Sequence, residues 1–165
     1  MNVADILADA ASRVSAQAAS VLTGISQETL HAMPSGANSI AWLIWHAARQ
    51  LDLQLADLTG KSQVWEEGGS KRLGVPRNSK EMGFGDSPDD VKALRIADPE
   101  ALGAYLNEAV EAYVAYVRTL SETDLDVVID TSWEPHVTRG VRLVSLVDDA
   151  TVHLGQAAYA RGIVE

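Results

Sequence analysis

The sequence predicts an all-α fold, a four-helix bundle with a long crossover between its second and third helices, in one domain over residues 1–165. Three observations carry this reading. Four segments repeat apolar residues at three- and four-residue steps, the spacing of one helix face. Each is bounded by residue types that cap helices. No run alternates apolar and polar residues as a half-buried strand would.

The first helix is expected from about Val3 to Leu22, with Asn2 as N-cap, Ile6, Leu7, Ala10, Val14, Ala18, Val21 and Leu22 on one face, and Gly24 ending it. Pro34 and Gly36 mark a turn. The second helix starts near Ser39 and carries Ile40, Leu43, Ile44, Ala47, Leu51, Leu55 and Leu58 inward, with Gly60 placed as a C-terminal cap. Residues 60–97 hold six glycines, two prolines and many charges with no persistent pattern, which predicts either a disordered linker or a functional crossover loop. Val64, Trp65, Leu73, Met82 and Phe84 within it favour a loop that packs. Such a connection allows the second and third helices to run parallel.

Asp98-Pro99-Glu100 reads as N-cap, first helical position and acidic first turn of a third helix that runs to about Leu120. Ser121 to Gly140, with Trp133-Glu134-Pro135, is a second connection. The fourth helix begins near Val141 and buries Leu143, Leu146, Val147, Ala150, Leu154 and Ala157, with Arg161 as a basic last turn and Gly162 as the cap.

Thirteen basic against 23 acidic residues give a net charge of -10, which repels phosphate backbones and anionic headgroups, so neither nucleic acid nor membrane surface is expected as a partner. Without cysteine there is no disulfide, thiolate ligand or cysteine nucleophile. Met1 to Val14 lacks the charged start and apolar run of a leader, and no stretch has the roughly 18 apolar residues of a membrane span, so a cytoplasmic location is expected.

Of the histidines at 31, 46, 136 and 153, two fall in helices at or beside the inward stripe. His46 lies within roughly 40° of Trp42 and Gln50 around the second helix. In the fourth, Asp149 and His153 are neighbours at i and i+4 beside Leu146 and Ala157. A carboxylate beside an apolar stripe needs a cation or strong donors, since burying it unpaired costs several kcal/mol. A divalent metal ion held by His46, Asp149 and His153 meets that need. A D-x-x-x-H spacing is equally explained by an Asp–His hydrogen bond, and a helical His at the core border by a satisfied boundary residue, so spacing leaves these readings open. Asp148 and Asp52 are rival carboxylates, expected on solvated helix faces, and His31 and His136 are expected at the surface. Arg49, about 60° from His46, is a candidate for binding an anionic substrate, with a solvated or salt-bridged arginine as the alternative. The four tryptophans are expected in the core or at the mouth of a pocket.

The strings NSIAWLIWHAARQLD at 38–52 and SWEPHVTRGVRLVSLVDDATVHLGQAAYARG at 132–162, joined by the crossover, resemble an actinobacterial branch of the DinB/YfiT-like superfamily. The W-x-x-W-H and D-D-x-x-x-H-x-G-Q-A-A-Y-x-R-G motifs carry most of the resemblance, which spans nearly the whole chain. It implies a four-helix bundle, frequently a homodimer, with nickel or zinc held from the second and fourth helices. Three histidines are common there, and Asp149 stands where many members have one. Mycothiol-dependent maleylpyruvate isomerases also place a carboxylate four residues before the last histidine. The resemblance thus implies His46, Asp149 and His153 as ligands, with mycothiol as co-substrate and a small electrophile as its acceptor. The isomerases carry an additional C-terminal domain, and this chain ends at Glu165, so isomerisation itself is the less expected activity. The reading is a metal-dependent thiol transferase or isomerase, with a non-catalytic stress-related bundle or a metal-dependent hydrolase as alternatives.

Overall fold

Asn2 accepts a hydrogen bond from the backbone of Asp5, and Asp5 returns one to the Asn2 backbone, so α1 (Val3–Leu22) opens on a reciprocal cap. The computed structural model describes residues 2–165, and Met1, the first residue of the expected domain, lies outside them. A short helix that the sequence reading lacked, α2 (Gln27–His31), follows the N-cap Ser26. Ser39 caps α3 (Ile40–Thr59), which ends in left-handed Gly60 as expected. The crossover holds a π turn at Trp65–Gly69, α4 (Ser70–Leu73) and α5 (Pro88–Ala93), pieces too short for periodicity to reveal. Asp98 and Pro99 open α6 (Pro99–Val117).

The second connection contains α7 (Glu122–Leu125) and a small antiparallel sheet, β1 (Val128–Asp130) with β2 (Val137–Thr138), pairing Val128 with Thr138 and Asp130 with Val137. Strands of three and two residues show no alternation to read, so the expectation of no strand is corrected only at this margin. Thr138 then caps α8 (Arg139–Val164).

Two helix ends differ from expectation. α6 stops at Val117 rather than near Leu120, because Thr119 and Leu120 turn back onto the carbonyls of Tyr116 and Val117. α8 continues through Gly162 to Val164. Its last turn is held by Arg161, which donates to the Val21 and Thr23 carbonyls at the end of α1 and to Glu165.

Contacts order the four long helices. His46, Gln50 and Gln54 of α3 meet Asp149, the Leu146 carbonyl and Arg142 of α8 respectively, so these helices are antiparallel. Arg49 bonds Tyr105, while Thr59 shares a cleft with Tyr116 and Thr119, so α3 and α6 run parallel. Leu22 abuts Gly103 and Leu7 lies near Val117, which sets α1 antiparallel to α6. The bundle is therefore up-down-down-up. The long crossover exists because a parallel step must return the chain the length of a helix, about 30 Å.

α3 lies at the centre. Every residue from Ile40 to Asp52 is buried, not only the expected stripe, because α6, α8 and the crossover surround it. The expected stripe of α8 is buried throughout. On α1, Leu7, Val14, Ala18 and Val21 are buried while Ile6 is exposed. Trp65 and Leu73 anchor the crossover in the core, whereas Phe84, expected to pack, is 88% exposed. Among the described residues, no helix is long and apolar enough to cross a membrane.

Candidate metal centre

His46 on α3 and the Asp149–His153 pair on α8 meet across the antiparallel seam. The Ser39 cap and the apolar run behind it set the register that turns His46 to α8, where Leu146, Ala150 and Leu154 bury the adjoining face. One donor atom from each of the three residues lies within 4.8 Å of the others. Asp149 Oδ1 is 3.6 Å from His153 Nε2, and Asp149 Oδ2 is 4.0 Å from His46 Nε2. Both distances exceed a hydrogen bond. The ring centroids of His46 and His153 are 4.7 Å apart at 84°. Trp42 stacks on His46 at 4.7 Å and 9°.

The second nitrogen of each imidazole decides what the first can do. His46 Nδ1 faces the Met82 carbonyl, an atom that only accepts, so the neutral ring carries its proton on Nδ1 and presents a bare Nε2. His153 Nδ1 lies 2.8 Å from Gln156 Oε1, which selects the same tautomer. Two nitrogen lone pairs thus converge on a carboxylate. Asp149 is 42% exposed by its side chain, yet its Oδ2 is buried without a hydrogen-bond partner. Three acceptors facing one another are stabilised by a cation at their centre. Ligands about 2.1 Å from a zinc ion sit about 3.4 Å apart, close to the spacings to the carboxylate here. The residues present fit a divalent metal.

Electrostatics point the same way. Burial pushes the His46 pKa below its ordinary value, against the opposing pull of the Met82 carbonyl, so the ring is neutral as a ligand must be. The Asp149 carboxylate raises that of His153, against partial burial. In the absence of metal a proton is drawn to the place that an ion would take.

Residues 10–157 match the DinB superfamily. The chain belongs to the DinB superfamily. Its fold is similar to the crystal structure of a conserved protein of locus from Enterococcus faecalis, with 31% identity, a TM-score of 0.90, and coverage of 98% of this chain and 96% of that one. No curated protein matches the chain.

In this DinB-superfamily protein the other candidates take different places. Asp148 is exposed beside the triad, as expected, and His136 is exposed. His31 is half-buried, donating from Nδ1 to Gln27 O and accepting at Nε2 from Ile96 N, which corrects its expected surface position. Asp52 is also no surface charge. It is 3% exposed and accepts from the backbone of Val64 and Trp65, from Tyr105 Oη and from Arg49. Arg49, the candidate for binding an anion, is 0% exposed. All five of its N–H groups are occupied, by Glu81 O, Asp52 Oδ2, Tyr105 Oη, Gln63 Oε1 and Ser79 O. Trp42, Trp45 and Trp65 are core, while Trp133 is 67% exposed.

Sequence reasoning missed the outer partners. Gln156, three residues from His153, had a legible helical spacing. Met82 had no signal, because its carbonyl and not its side chain makes the contact. A cleft of about 300 Å³ between α3 and α6 is lined by Leu55, Ala56, Ala112 and Tyr116, away from the triad. Convergent donors rather than cavity size locate the centre.

Proposed function

We propose that this protein is a metal-dependent enzyme of the thiol-transfer type, with zinc or nickel held by His46, Asp149 and His153. The observation that carries this reading is the convergence of two bare imidazole nitrogens and the unpartnered Asp149 Oδ2. Two neutral imidazoles and one carboxylate leave a divalent ion with net positive charge and room for an exogenous ligand. A bound divalent cation supplies a Lewis-acidic position that lowers the pKa of a thiol toward neutrality. His46 and Trp42 form the inner, water-poor wall, while Asp149 and His153 reach the surface, where a small thiol has access.

The thiol class comes from the resemblance to the mycothiol-dependent branch. In the transfer, the sulfur forms a bond to an electrophilic carbon, the leaving group departs with its bonding pair, and the thiol proton passes to solvent. The proposal includes a cytoplasmic location and a homodimer. The dimer is supported by Val141, Val144, Val152, Tyr159 and Ile163, exposed on α8 within an arc of about 100°.

The test is mycothiol consumption with a panel of electrophiles. Metal-loaded protein should accelerate it, and metal-free protein and His153→Ala should not. Cobalt-substituted protein should gain a sulfur-to-metal charge-transfer band on adding the thiol. The absence of both the rate enhancement and the band would overturn thiol transfer, and metal binding without turnover would assign the bundle a binding role.

A further inference from the structure

The histidine ligand on α3 is gripped from outside by the crossover, and the crossover is gripped by α3 itself. Met82 O accepts from His46 Nδ1. Upstream of it, Arg49 Nε donates to Glu81 O at 3.1 Å and Arg49 Nη2 to Ser79 O at 2.8 Å. Downstream, Gly83 adopts φ +90° against the indole rings of Trp42 and Trp45. A Cβ there would lie 2.8 Å and 2.9 Å from ring carbons, and that φ disfavours any residue with a Cβ. Further on, Asp86 accepts from Trp42 Nε1 at 2.8 Å and from both terminal nitrogens of Arg77. Trp42, Trp45, His46 and Arg49, all within α3, thus hold residues 79–86 on both sides of Met82.

We infer that Arg49 and Gly83 are positioning residues of the metal centre, acting through the Met82 carbonyl, which fixes the His46 tautomer and aims Nε2 at Asp149 and His153. A free imidazole divides between two tautomers, and only one presents Nε2 as a ligand. Outer partners that settle this choice carry a measurable share of metal affinity. Arg49 is suited to the task because one rigid guanidinium can hold two loop carbonyls while its remaining N–H groups bind Asp52, Tyr105 and Gln63. The inference rests on the metal reading for its consequence, but the tautomer is a property of the metal-free protein.

Two measurements on Gly83→Ala and Arg49→Lys test it. Zinc affinity, by competition with a chromophoric chelator, should fall about 10- to 100-fold in Gly83→Ala, with cooperative unfolding retained. Long-range proton–nitrogen NMR of metal-free protein at alkaline pH should show His46 as the Nδ1–H form in the wild type and as a tautomer mixture in Gly83→Ala. Arg49→Lys should shift both readouts in the same direction wherever it folds. Gly83→Ala decides if it does not fold. Unchanged affinity and unchanged tautomer in folded Gly83→Ala would overturn the inference and leave the metal reading intact. A wild type that binds no zinc yet loses its single tautomer in the variant would uphold the positioning role and overturn the metal reading.

Discussion

His46 Nε2 and Asp149 Oδ2 face each other at 4.0 Å across two antiparallel helices, and the buried carboxylate oxygen accepts no hydrogen bond. With its other ring nitrogen committed to a carbonyl, neutral His46 has no proton to offer Asp149. A pair of facing acceptors belongs around a cation, and the triad makes distinct predictions about which side chains matter.

Untagged protein should carry close to one zinc or nickel ion per chain by elemental analysis. His46→Ala, Asp149→Ala and His153→Ala should each lose it, whereas Asp148→Ala, which alters an exposed carboxylate, should keep it. Retention in Asp149→Ala with loss in Asp148→Ala would reverse the assigned register.

Chelation should lower the melting temperature of the wild type and leave His46→Ala and His153→Ala unmoved. A ligand at a hundredfold its Kd stabilises the native state by about 2.7 kcal/mol. In a domain of this size that corresponds to roughly 5–11 °C. Differential scanning fluorimetry before and after verified metal removal measures it, and an unchanged wild-type curve counts against linkage between the site and folding.

Removing the Asp52 carboxylate should destabilise the bundle by about 3–5 kcal/mol in urea unfolding, because the Asp52→Ala variant leaves Arg49 charged and fully buried. A cost below about 1 kcal/mol would mean that water or another acceptor reaches the guanidinium.

Stability should fall as pH drops below about 6.5, in part through His31. Burial depresses its folded pKa, with the Gln27 carbonyl opposing and Arg95 assisting. The unfolded chain therefore binds more protons than the native one between the ordinary histidine value and the depressed one, and acid favours unfolding there. Protonation would also remove the lone pair that accepts from Ile96 N. His31→Asn should flatten the pH dependence of the urea midpoint over this window, and an unaltered slope would remove His31 from the account.

Local chemistry determined much of this protein. The caps at Asn2, Gly60 and Asp98 and the stripe on α8 act within a turn or two of the chain, so the four helices and their inward faces were legible from residue order. His46, Asp149 and His153 were legible as candidates because helical spacing places each beside an apolar face. The conformation of the crossover was not legible, since its short turns depend on partners far along the chain, such as Arg49 for Ser79 and Glu81. Arg49 shows the limit most clearly. On the helix wheel it borders the face of His46, which suggested contact with an anion. Only packing against α6 and the crossover surrounds its five N–H groups and turns a surface-type cation into a buried clamp. Likewise, tertiary structure alone sets the Met82 carbonyl on His46, because a backbone acceptor carries no side-chain signature and acquires its role from where the chain returns.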